Sequence, residues 1–183
     1  MMVAERKDAY TGTGYDMGTI ASRTLDLHLT VRDIAEDDLP GLTWCGSRLH
    51  VAHIAEEVRS APATREFLAA FLPDGRSVGK GEIDYAGEPH AGQIGSLAVR
   101  DFLQSLGIGT FLIDTAEQRI RDRGLHRAVL DVEDNNPRAR ALYERLGYVA
   151  YDRRPESWDQ QAPDGRVYRY ETTCTYLRKD LPG

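Results

Sequence analysis

Cysteine is nearly missing from this chain of 183 residues: Cys45 and Cys174 stand alone and far apart. Two lone cysteines make neither a disulfide framework nor a zinc-ligand set, so a reducing, cytoplasmic setting and no metal are the expectations. An excess of positive charge is missing too. Twenty-three Lys and Arg against 29 Asp and Glu leave a net charge of −6. That argues against a nucleic-acid binder working by broad phosphate neutralisation. It says little against a small anionic ligand, which needs only one local site, and it leans toward a cationic partner. No apolar run approaches the length of a membrane span. The opening MMVAERKDAYTGTGYDMG lacks the apolar stretch of a secretory signal. No internal repeat and no low-complexity tract appears.

What is present suffices for one domain with a real core. Residues 1–23 mix Gly, Thr, Tyr and charge without periodicity and read as a flexible N-terminal arm, leaving 24–183 as the domain. The chain is organised around QIGSLAVRDFLQSLGIGTFLIDTAEQRIRDRG, Gln93 to Gly124. Ile94 to Val99 is a short apolar strand. Gln104-Ser105-Leu106-Gly107-Ile108-Gly109 is a turn. A helix follows, with Ile108, Leu112, Ala116 and Ile120 on one face, and Gly124 stops it where a left-handed residue is wanted.

Such a turn points at an anion. The first turn of a helix carries backbone N–H groups without partners inside the helix, and here little is present to cap them. Gly107 and Gly109 have no Cβ to keep a ligand off the backbone. Free donors at the positive end of the helix dipole suit a phosphate. The plain alternative is a tight strand-to-helix connection capped by Ser105. The dinucleotide fingerprint fails because Leu112 stands where its third glycine belongs, and no Gly-Lys-Ser/Thr triplet completes a Walker loop.

The remaining pattern, Gln-x-x-Gly-x-Gly, resembles the pyrophosphate loop of the GNAT superfamily of N-acetyltransferases. A second stretch, DVEDNNPRARALYERLGY from Asp131 to Tyr148, resembles that family's other signature through Asn136, Ala139, Leu142-Tyr143 and Gly147-Tyr148. The order and separation of the two also fit. The resemblance implies that Gln104, Ser105, Leu106, Gly107, Ile108, Gly109 and Thr110 grip the diphosphate of acetyl-CoA. It implies that Leu97, Ala98 and Val99 hold the pantetheine arm, with a backbone N–H near Val99 as oxyanion donor. It further implies that Asn136 touches the cofactor arm and that Tyr143 protonates the departing thiolate. Asn136 before Pro137 is also a good helix cap. Tyr143 also lies on the Ala139, Leu142, Tyr143, Leu146 stripe of a core-facing helix.

The remaining elements read as follows. Thr24 to Arg32 alternates as a strand, with Leu25, Leu27, Leu29 and Val31 on one side. Asp33 to Trp44 holds a short helix limited by Pro40 and Gly41. Arg48 to Ser60 is a helix with Val51, Ile54, Ala55 and Val58 buried and His50, His53 and Glu57 on the other face. With Glu56 those histidines could make half a metal site, but no further ligands follow. A solvated face is the expectation, with contact to an acceptor, from the resemblance, as the alternative. Arg65 to Leu72 and Arg76 to Tyr85 flank Asp74-Gly75 as a hairpin, and EPHAG, residues 88–92, turns into the Gln93 strand. His126 to Val132 is a strand parallel to Ile94–Val99, followed by helix Pro137 to Leu146 and strand Tyr148 to Arg153. Pro155 to Asp164, containing Trp158, reads as a polar loop, and Arg166 to Leu177 as the last strand. The class is α/β: a single GNAT-like domain with a mixed, mostly antiparallel sheet of six to seven strands and helices on both faces. By the resemblance, its central parallel pair splays apart.

Transfer of an acetyl group to an amine needs a proton acceptor, an oxyanion donor and alignment. Many GNAT enzymes carry Glu where this chain has Gln93, and Gln takes no proton. Glu82 on the neighbouring strand, and Asp131 and Glu133 on one face of theirs, are candidate bases; each is equally a solvated carboxylate. The resulting expectation is an acetyl-CoA-dependent N-acetyltransferase acting on a primary amine by direct attack. The alternative is a non-catalytic CoA-binding regulatory or sensor module on the same fold, and a longer acyl group stays open. Expected partners are acetyl-CoA and the amine, without nucleic acid or membrane; a homodimer stays open.

Overall fold

One short strand sorts the molecule into layers. In β2 (Arg65–Phe71) successive side chains point to opposite faces. Phe67, Ala69 and Phe71 join a core with Ile34, Leu39, Leu42 and Ile54. The last three belong to a 3-10 helix, Glu36–Leu42, and to α1 (Arg48–Arg59). Leu68 and Ala70 join the larger core on the other face, with Ile108, Leu112, Ile113, Ala116 and Ile120 of α2 (Ile108–Asp122) and Tyr143 of α3 (Pro137–Arg145). This computed structural model describes residues 26–60 and 64–182; the expected N-terminal arm lies outside them.

Seven strands form one sheet. Besides β2 they are β1 (Thr30–Asp33), β3 (Ser77–Asp84), β4 (Gly92–Val99), β5 (Arg127–Glu133), β6 (Val149–Gln161) and β7 (Val167–Asp180). Their spatial order is β1-β2-β3-β4-β5-β7-β6. Only β4 and β5 run parallel, and they pair through just Gly92–Ile94 against Ala128–Leu130. Beyond those rungs both strands continue without each other, which is the expected splay. Within the opening β4 bulges. Lys80 pairs with Ala98 and Glu82 with Gly95, so Gly81 faces two residues of β4, and Ser96 takes φ +49°.

Helix α2 is placed as its spacing predicts: every stripe residue is buried. Gly124, at φ +75°, turns the chain so that the Leu125 N–H returns to the Ile120 carbonyl at 3.1 Å.

Two expectations need correction. The first strand begins at Thr30, not Thr24. Its partner ends at Phe71, opposite Thr30, and a strand without a partner has no ladder to join; Thr24 and Leu25 lie outside the described residues. The loop expected from Pro155 to Asp164 is instead the outer half of β6, paired with β7 down to Gln161–Val167. The turn is residues 162–166, closed by Ala162 N–H to the Arg166 carbonyl at 2.9 Å. β6 is an edge strand, where Pro155 is tolerated. Most of this outer stretch is exposed or half-buried, so no alternation marked it as a strand.

Candidate active site

The turn between β4 and α2 leaves its amides unused. Among the described residues none accepts a hydrogen bond from the backbone N–H groups of Ser105 through Thr110. Gly107 caps α2 at φ +86° with no side-chain cap, and a Cβ there would meet nothing within 4 Å. Ser105, the alternative cap, does not cap. It sits in the left-handed region at φ +66°, a conformation costing about 1–3 kcal/mol. Its hydroxyl accepts from Arg138 Nη2 at 2.9 Å, while Arg138 Nη1 donates to Gln104 Oε1 at 2.7 Å. Gln104 in turn donates to the Val99 carbonyl at 3.2 Å. So an arginine on α3 and a glutamine of the loop hold the turn open toward solvent.

The loop faces a cavity of 590 Å³ lined by Leu97 to Val99, Gln104, Ser105, Gly107 to Thr110, Asn136, Arg138 and Tyr143, among others. On the other side of Leu97 a second cavity of 1130 Å³ continues toward α1 and the β6–β7 hairpin. Leu97, Asn136, Ala139 and Tyr143 line both. The edge of β4 is free at this junction. Arg100 N–H bonds across to the Val78 carbonyl on β3, so by alternation the Val99 N–H points the other way, into the opening.

Both readings of Asn136 and Tyr143 meet here. Asn136 Oδ1 caps α3 by accepting from Ala139 N–H at 3.1 Å, which leaves its amide nitrogen free. The Tyr143 ring is core, 7% exposed. Its hydroxyl has no partner among the described residues, and no sealed side-chain N or O goes unpartnered; the hydroxyl therefore reaches the cleft. Burial first, then the charge of Asp131, push this phenol up to about 12. It keeps its proton at neutral pH.

The larger cavity is floored by carboxylates. Glu82 and Asp84 come from β3, Asp131 and Glu133 from β5, and Glu56 and Asp159 stand at its walls. Asp84 is paired with Arg65 at 2.8 Å. Glu133 accepts from the Tyr170 hydroxyl at 2.7 Å. Asp131 accepts from Gln93 Nε2 at 3.2 Å, and burial lifts its carboxyl above the ordinary range, with the Gln93 bond opposing. Glu82 lies against Gly95, beside the bulge. Trp158 lines the far side, its ring 5.1 Å from that of Tyr170. His50 lines the near side, and this corrects the expected solvated face: it is half-buried, with Nε2 2.6 Å from Lys80 Nζ. His53 is exposed.

The sequence profile of the acetyltransferase (GNAT) family matches residues 30–148, well over half the chain. The chain belongs to the GNAT family. That family is one of acetyltransferases. Among curated proteins it resembles the mycothiol acetyltransferase of Arthrobacter sp. (strain FB24), 33% identical over 90 residues, which is 47% of this chain and 28% of that one. A second, from Beutenbergia cavernae, is 46% identical over 58 residues, 32% of this chain and 20% of its own. The chain thus spans less than a third of the length of these relatives. Among solved structures the ribosomal-protein-S18-alanine N-acetyltransferase from Escherichia coli superposes with a TM-score of 0.65 at 19% identity, covering 85% of this chain and 96% of that one. At that identity the likeness speaks for the fold.

In this GNAT domain the loop except Leu106, which is exposed and lines neither cavity, the β4 edge, Asn136, Tyr143 and all three candidate carboxylates border two adjoining cavities. Three participants escaped the sequence reading. Arg138 lies inside the second motif, but at one of its unspecified positions. Lys80 sits in a strand whose lysine and glutamate alternate like a wet face. Trp158 lies in a polar stretch that reads as a loop from sequence alone.

Proposed function

We propose that this GNAT enzyme transfers an acetyl group from acetyl-CoA to a primary amine by direct attack in a ternary complex. The observation that carries the reading is the run of unpartnered amides from Ser105 to Thr110 at the head of α2, opening onto the same cleft as the Tyr143 hydroxyl. Those amides and the helix dipole take the diphosphate, and Arg138 adds a cation beside them. The free edge of β4 at Leu97, Ala98 and Val99, with the Asn136 amide, aligns the pantetheine arm. The Val99 N–H donates to the oxyanion. Tyr143, protonated at neutral pH, donates its hydrogen to the departing sulfur. Glu82, Asp131 and Glu133 draw a cationic amine to the thioester from the other side.

Acetyl-CoA at about a hundred times its dissociation constant stabilises a binding protein by roughly 2.7 kcal/mol, a rise in Tm on the order of 5 °C for a chain of this size. Free-thiol release is then followed over a panel of amines, including the acceptor of the mycothiol acetyltransferases. A Tm rise with thiol release on one of them is the expected result. No Tm rise at saturating acetyl-CoA ends the reading. A rise with no thiol release on any amine favours the CoA-binding sensor instead.

A further inference from the structure

Beneath the acceptor cavity lies a lysine that no carboxylate among the described residues pairs with. Lys80 on β3 is 1% exposed, and among the described residues its Nζ has one side-chain partner, Nε2 of His50 at 2.6 Å. The chain has only three lysines, Lys7, Lys80 and Lys179; every other basic residue of this class is arginine. Lys179 is the contrast: its Nζ meets both carboxylate oxygens of Glu117 at 2.8 Å and so keeps its charge. Lys80, sealed against an imidazole, is pushed down by burial. An arginine there could not release its proton; a lysine can.

His50 completes the arrangement. Its Nε2 is engaged with Lys80. Its Nδ1 has no partner among the described residues, and no sealed side-chain nitrogen goes unpartnered, so Nδ1 opens onto the cavity that His50 lines with Glu82 and Tyr143. Burial, then Lys80, then His53 lower the imidazole to about 4. The other charged or titratable groups facing the pair are the Cys45 thiol and Glu82 toward Lys80, with Arg100 beside Cys45 and Arg65 at 3.2 Å from His53.

We propose that His50 and Lys80 form a relay that takes the proton from the ammonium group of the acceptor, a role that rests on the transferase reading above. The relay requires the pair to rest neutral, with the Nε2–H of His50 donating to the Lys80 amine and the Nδ1 lone pair facing the cavity. An N–H bond of the ammonium breaks and its proton bonds to Nδ1, while the Nε2 proton passes to Nζ. A neutral amine is left to attack, and Lys80 becomes an ammonium whose charge Glu82, two residues along the same face of β3, favours through space. Nothing is oxidised or reduced. The proton returns to solvent by the reverse route. The relay supplies what Gln93 cannot.

The relay works only while neutral, so the rate falls as pH drops through the apparent pKa of the pair. Lys80→Met keeps the length and the apolar fit; His50→Gln removes the other member. Each is expected to lower kcat/KM for the amine by about a hundredfold at neutral pH. The double variant is expected to fall no further, because the two act as one unit, and the acetyl-CoA-induced Tm rise persists in all three. Nitrogen NMR of the wild type is expected to find the His50 proton on Nε2, a measurement that needs neither activity nor variants. Single variants that keep the wild-type rate and acid limb, losses that multiply in the double variant, or a proton on Nδ1 at neutral pH overturn the relay. Absence of a wild-type Tm rise overturns the transferase reading instead.

Discussion

The two halves of the cleft are made of different material. On the side proposed for the donor the groups open to a ligand are mainly backbone: the amides of Ser105 to Thr110 and the edge of β4. On the acceptor side they are side chains, with Glu82, Asp131, Glu133, His50 and Trp158 converging from four separate elements. A backbone site has one geometry and suits one invariant group. A side-chain site changes with every substitution, so one fold can hold the same donor while varying what it acylates.

Variants should therefore split by side. The largest effect is expected where the halves meet. Tyr143→Phe keeps the packed ring and removes a hydroxyl that bonds nothing among the described residues, so stability should hold while kcat falls by about 10²–10⁴. Equal turnover would make Tyr143 a packing residue and remove the junction from the comparison. Next is Gly107→Val on the donor side. Its φ of +86° costs a side chain about 1–3 kcal/mol, so the affinity for acetyl-CoA, read by calorimetry, should drop roughly tenfold or more with the KM for the amine unchanged. Unchanged cofactor affinity would refute the phosphate loop. The smallest is Trp158→Ala on the acceptor side. Loss of an aromatic face for a cation, about 0.5–1 kcal/mol, should raise the KM for a cationic amine a few-fold and leave acetyl-CoA binding alone. An equal change in both constants would mean the halves are not separate.

The same difference explains what could be read without coordinates. The donor side was legible because one turn supplies it: Gln104, Gly107 and Gly109 lie within six residues, and the stripe of α2 fixed what followed. Tyr143 was legible for the same reason, inside one helix. The acceptor side was not. Lys80 and His50 are thirty residues apart and meet only because α1 packs over β3, and periodicity alone put His50 on a wet face. The hairpin carrying Trp158 hid for another reason. It is an edge ribbon whose outer half buries little, so neither alternation nor apolar content betrayed its pairing with Tyr170.

The seam between β4 and β5 has a mechanical consequence. Among the described residues the backbone ladder between the β1–β4 half of the sheet and the β5–β7 half is three residue pairs long. A donor bound there as proposed would supply the rungs that the two strands withhold from each other. It would serve as a keystone as well as a reagent, and losing the spent carrier would loosen the arch at the moment the product must leave.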